Sequence, residues 1–257
     1  MPTTIKFLSE KKFRDATLFV GLPGIGLVGK ICVDYLLKQF KAEKIAEITS
    51  DFFPPSVQTE KGIVSLIKDE IHYFPFKGSD YLFLSGPVQP PLDSRSSSME
   101  EHFEFSRAIV EALKGRGAAK ICTLAGLNVG EKRLHSEPHV IVASTTKAEM
   151  EEWKKFGAVN DRPVGLISGA AGLLIGIGKE YGLNGSCLMG ETSTRLVYGD
   201  PGAAKKIIEI LIKRYGFAVE MEAMEKEAKE IEKAFSELNK QFDEGEEAPA
   251  AGLSYVR

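Results

Sequence analysis

Residues 17–40 constrain this fold more than any other stretch. An apolar run, Leu18-Phe19-Val20, enters Gly21-Leu22-Pro23-Gly24-Ile25-Gly26-Leu27-Val28-Gly29-Lys30 and continues as Ile31-Cys32-Val33-Asp34-Tyr35-Leu36-Leu37. The three β-compatible residues suit a short buried strand, the glycines permit a sharp reversal, and Val28, Cys32, Tyr35 and Leu36 fall at helical spacing. Strand, glycine turn and helix in this order make the opening unit of an α/β sheet.

Two nucleotide motifs overlap the turn. Gly24-x-Gly26-x-x-Gly29 fits the dinucleotide fingerprint, with Glu47 or Asp51 placed to hold a ribose, and Gly24-x-x-x-x-Gly29-Lys30 nearly fits the P-loop. The P-loop form fails at Ile31, where a hydroxyl should reach magnesium, and no strand ends in a clear acidic metal partner. The preferred reading is structural: Pro23 and the glycines let the helix pack tightly on its strand.

With 257 residues and 43% hydrophobic content, the chain can bury a large α/β core. A net charge of −3 gives no general basic surface for phosphates, which argues against nucleic acid. No apolar run reaches the ~18–20 residues of a membrane span, and the N-terminus lacks a signal-peptide core, so a soluble cytoplasmic protein is expected. Cys32, Cys122 and Cys187 are far apart in apolar segments and read as buried reduced thiols. His135-Ser136-Glu137-Pro138-His139 offers two histidines and a carboxylate, but Pro138 prevents helical presentation and no further ligands gather. No metal or cofactor is expected.

Along the chain, strands are expected at 44–48, 80–86, 120–126, 139–143 and 185–191, and a strand pair at 62–68 and 70–76 separated by Asp69. Helices are expected at 99–114, with Phe103, Phe105, Ile109, Val110 and Leu113 on its apolar side, at 146–156 and at 203–215. The glycine-rich run 164–179 reads as a core helix that approaches the sheet closely. This alternation indicates a mostly parallel sheet covered on both faces.

After Gly216 the pattern changes. Phe217, Met221, Met224, Ala228, Ile231, Phe235, Leu238 and Phe242 form a heptad seam, read equally as an intramolecular helix or an intersubunit bundle. From Asp243 a small, polar linker leads to Leu253-Ser254-Tyr255-Val256-Arg257. An apolar tip on a tether of roughly 40–50 Å suits a docking peptide, and composition alone fits an inert frayed terminus equally. The organisation is therefore 1–216, an α/β body; 217–242, a charged amphipathic helix; and 243–257, a flexible docking tail.

The glycine turn, Ser85-Gly86-Pro87, Ser168-Gly169-Ala170-Ala171-Gly172-Leu173-Leu174 and Gly190-Glu191-Thr192 together resemble the PAC2 family of proteasome assembly chaperones, its archaeal members above all, over roughly residues 14–240. The resemblance implies a three-layer α/β/α fold similar to nucleoside phosphorylases, without established catalytic machinery. It implies a homo-oligomer, a tetramer ahead of a pentamer, whose C-terminal tails bind α-subunits of the 20S proteasome. The family's tail motif is hydrophobic residue, tyrosine, any residue; here Tyr255 stands third from the end and Val256 is penultimate, so the carboxylate lies one residue farther away.

The leading expectation is a non-enzymatic chaperone or activator. Leu253, Tyr255, Val256 and Arg257 would bind the proteasome, and Met224, Ile231, Phe235 and Leu238 would serve oligomerisation. The alternative is an enzyme or small-molecule sensor for a nucleoside or phosphate. It would use the loops 21–30, 85–91 and 191–194, converging at the carboxyl ends of parallel strands, with Gly24, Gly26 and Gly29 in the first, Lys30 as an anion contact and Glu191 as acid or base.

Overall fold

Strand β2 (Ala16–Gly21) is buried at every residue, as a short apolar run at the centre of a sheet must be. Its side chains divide between two cores. Leu18 and Val20 face one and Phe19 the other, and Leu82 with Leu84 against Phe83, or Cys187 with Met189 against Leu188, repeat the division in neighbouring strands. A period-two split into two apolar cores requires helices on both sides of the sheet.

The computed structural model describes residues 2–91, 99–196 and 198–226. The other strands are β1 (Thr3–Phe7), β3 (Glu43–Ser50), β4 (Val57–Glu60), β5 (Ile63–Leu66), β6 (Asp69–Phe76), β7 (Ser79–Ser85), β8 (Ala118–Asn128), β9 (Val140–Ser144) and β10 (Asn184–Thr192). The helices are α1 (Val28–Gln39), α2 (Met99–Lys114), α3 (Lys132–His135), α4 (Lys147–Lys154), α5 (Gly169–Glu180) and α6 (Pro201–Tyr215). Eight strands form one sheet in the order β1-β3-β6-β7-β2-β8-β10-β9. The central four, β7, β2, β8 and β10, run parallel, and antiparallel strands close both edges.

Helices α2 and α5 cover one face with Phe105, Ile109, Val110, Leu113, Ala170, Leu174 and Ile177. Helices α1, α4 and α6 cover the other with Val28, Cys32, Val33, Leu36, Trp153, Ala203, Ile207 and Leu211. The three-layer α/β/α architecture expected from the pattern is present. All three cysteines are buried and free, and burial pushes their thiols up.

Local structure differs from the sequence reading at five points. Strand β1, unassigned from sequence, pairs antiparallel with β3 at the sheet edge. The expected hairpin of 62–68 with 70–76 is instead β4 with β5, while β6 sits inside the main sheet between β3 and β7. Asp69 is no break: it opens β6, fully buried. Residues 164–168 precede α5 rather than belonging to it, and Phe103 is exposed, because the buried side of α2 is Phe105, Ile109, Val110 and Leu113.

The seam beyond Gly216 is described only to residue 226. Phe217 inserts into an aromatic cluster, 5.2 Å from Phe40 and 5.0 Å from Tyr81 by ring centroids. Tyr35 donates to the Glu220 carbonyl at 2.6 Å and Lys205 pairs with Glu225 at 3.0 Å, so this segment lies against α1 and α6.

Candidate functional site

The chain leaves β2 toward β3 and leaves β8 toward β9 and β10, on the opposite side of the sheet. Loops therefore part between β2 and β8, and in an open parallel sheet this parting makes a crevice at the carboxyl ends of the strands. A cavity of about 200 Å³ lies there, between the glycine turn (Leu22, Pro23, Gly24, Ile25), the end of β8 (Leu124 to Asn128) and the approach to α5 (Leu166, Ile167, Ser168, Ala171). Gln89, from the loop after β7, ties the parts together. Its carboxamide donates to the Pro23 carbonyl and accepts from the Ala170 amide at 3.1 Å. Among the described residues no charged side chain lines the cavity.

The turn takes its shape from close packing. Gly26 has a positive φ of 61°, and a Cβ there would overlap the Thr192 side chain. A Cβ on Gly29 would overlap the Leu124 carbonyl, so α1 rests directly on β8. Both glycines are explained by the helix and strand they press against, which is the structural reading preferred from sequence.

Lys30 and Glu191, the charged residues of the enzyme alternative, do not line this cavity. Lys30 pairs with Asp34 at 2.7 Å one turn along α1, and Asp34 also accepts the Ser85 hydroxyl. That pair lies in a separate groove with Lys68, Glu70 and His72. Glu191 is 1% exposed, inside a shell that is itself partly open to solvent. It meets Arg162 at 2.5 Å, the His139 ring at 3.1 Å and amide at 3.0 Å, and Lys132 at 3.4 Å. Burial alone would raise its carboxyl, but the His139 contacts and the Arg162 and Lys132 charges outweigh it and hold the group below the usual value. A carboxylate so neutralised is a poor general base.

Beside it, Asp200 accepts from Arg133 at 2.9 and 2.8 Å, from Thr192 at 2.9 Å and from the Ala203 amide at 2.9 Å. This buried pair caps α6 and fastens it to the end of β10.

Met224 is fully buried within the chain's own core. Ile231, Phe235, Leu238, Leu253, Tyr255, Val256 and Arg257 lie outside the described residues. Among the described residues no group of three or more His, Cys, Asp or Glu is arranged to hold a metal, and no helix is long and apolar enough to cross a membrane. Gln89 falls within the loop 85–91 expected to converge on a ligand, whereas Asn128 and Leu166 were not singled out from sequence. Only the position of Gln89, in a proline-rich loop after a core strand, signalled it.

A model of the PAC2 family matches residues 18–239. The chain is 33% identical to the uncharacterized protein MJ1210 of Methanocaldococcus jannaschii over 247 residues, 94% of this chain and 89% of that one. Among solved structures it is similar to Pyrococcus furiosus PbaB, described as an archaeal proteasome activator, with a TM-score of 0.84 and 32% identity over 93% of this chain and 99% of that one. It is also similar to PbaA of the same organism, described as an archaeal homolog of proteasome-assembly chaperone, with a TM-score of 0.72 and 26% identity over 95% and 94% of the two chains.

Proposed function

Because the chain belongs to the PAC2 family, we propose that it is a non-enzymatic partner of the 20S proteasome, an activator or assembly chaperone. The observation that carries this reading is the likeness to the archaeal proteasome activator along nearly the whole of both chains, with the same fold and 32% identity. The separation of Lys30 and Glu191 from the glycine-turn cavity supports binding over catalysis.

The α/β body carries the tail. Phe217 and Met224 fix residues 217–226 against the body, so the following chain leaves from a defined place on the α1 and α6 face. Leu253, Tyr255, Val256 and the Arg257 carboxylate enter pockets between proteasome α-subunits. Ile231, Phe235 and Leu238 join copies into an oligomer, which presents several tails to one ring and gains avidity through effective concentration.

Titration of full-length protein into archaeal 20S proteasome, read by hydrolysis of a fluorogenic peptide alongside sedimentation, tests the reading. Co-sedimentation is expected, with increased hydrolysis marking an activator and unchanged hydrolysis an assembly factor. Absence of any complex at tens of micromolar would overturn it.

A further inference from the structure

We propose that the cavity between the glycine turn and the start of α5 binds one small neutral molecule, ring-sized, apolar over most of its surface and carrying a single hydrogen-bonding group such as an amide or hydroxyl. This site is independent of the proteasome reading.

Volume sets the size. About 200 Å³ exceeds the ~150 Å³ of an engineered apolar cavity that holds benzene and falls below the ~300–1,000 Å³ usual for drug-sized ligands. A single or fused ring fits, and a dinucleotide does not. Lining sets the polarity. Val20, Leu22, Ile25, Leu124, Leu127 and Met189 give aliphatic walls, and among the described lining residues no charged side chain is present to offset the desolvation of a phosphate.

Two polar groups at the rim are left over by the fold. The Asn128 Oδ1 accepts from the Gly130 amide at 3.1 Å and the Thr194 amide at 3.4 Å, which occupies the oxygen, while the NH₂ of this exposed residue faces solvent with no partner among the described residues. The Ser168 hydroxyl stands at the N-cap of α5 without making the capping bond. A ligand carbonyl or hydroxyl can use either.

Packing leaves space where a ligand would lie. Gly24 lines the cavity, yet a Cβ built on it meets nothing within 4 Å, unlike Gly26 and Gly29, which the fold requires. At the mouth, Leu166 is 92% and Ile25 43% exposed, apolar surface that an occupant would partly cover. The position, outside the carboxyl ends of parallel strands where the connections part, is where open α/β sheets bind ligands.

Saturation-transfer NMR on the full-length protein, with benzamide, toluene and indole as probes, tests the site, and inorganic phosphate and AMP serve as charged competitors. Saturable, mutually competitive binding of the neutral probes is expected, undisturbed by phosphate or AMP. Gly24→Leu should abolish it, since the extended backbone at φ −157° admits leucine and the side chain fills the space. Asn128→Asp keeps the oxygen that holds the turn and removes the donor. It should weaken benzamide roughly 2- to 10-fold while changing toluene little, which reads the rim even if the leucine variant folds poorly. No saturable binding to the native protein, equal binding to a folded Gly24→Leu protein, or displacement by phosphate would overturn the proposal.

Discussion

Two buried carboxylates illustrate opposite solutions at the residue scale. Asp69 is fully buried with neither oxygen in a hydrogen bond. Burial pushes its carboxyl well above the usual range, and the nearby Val88 amide, which makes no bond of good geometry, and the Lys30 charge only partly offset this. A proton held more tightly folded than unfolded makes stability fall as pH rises from the ordinary carboxylate range through the folded value. Asp69→Asn should therefore stabilise the protein at pH 7 by about 1–3 kcal/mol in urea unfolding, with the gain vanishing near pH 4; a loss of stability at pH 7 would refute this account. Glu191 is the reverse case. Its depressed carboxyl contributes stability that is present above the ordinary carboxylate pKa and lost as pH falls through the folded value. Glu191→Gln removes the carboxylate that Arg162 and Lys132 share, leaving Arg162 its longer 3.6 Å contact with Asp161, and should cost about 1–3 kcal/mol at pH 7 and progressively less below roughly pH 4. A stability effect that is small and flat with pH would contradict this account of Glu191.

At the scale of elements, the segment after α6 is the one on which the functional reading depends. Phe217 touches Phe19, Phe40, Phe74, Phe76, Tyr81 and Tyr215, joining β2, β6, β7 and the ends of α1 and α6. Phe217→Ala should cost about 3–5 kcal/mol in denaturant unfolding, the usual range for emptying a buried aromatic site, and should speed amide exchange over 217–226; an effect under 1 kcal/mol would mean that the segment is not fastened there. The body's repeating strand and helix pattern was legible because each core strand is a short apolar run and each covering helix carries an apolar side. α2 falls at 99–114 as read. Strand β5 lies inside the stretch 62–68 read as a strand, but β4 and its pairing with β5 were not legible, since both are exposed at every residue and no burial pattern writes itself into Val57–Glu60 or Ile63–Leu66. Its signal was local: Lys61 and Gly62 both take positive φ, at 49° and 82°, as a two-residue hairpin turn demands. Asp69 misled for a physical reason, because a charged residue that opens a buried strand without a partner is rare. The cavity was partly legible in Gly24 and Gly29, but the convergence of Gln89, Asn128 and Leu166 depends on strand order, which residue spacing does not encode.

Taken whole, the molecule is a mixed sheet whose four central parallel strands are sealed by helices on both faces, with the end of α6 and Phe217 fixing where the C-terminal segment departs. The family and fold identified from sequence motifs are those of the matched family and structures. Under the proposed function, this body holds C-terminal tails against a proteasome ring. Native mass spectrometry of archaeal 20S proteasome with full-length protein, with Tyr255→Ala and with a chain ending at Phe242 tests it most directly, circular dichroism confirming that each variant folds. The account predicts a complex of full-length protein with 20S that is weakened by Tyr255→Ala and lost on truncation. Binding retained in full by the truncated chain would contradict it.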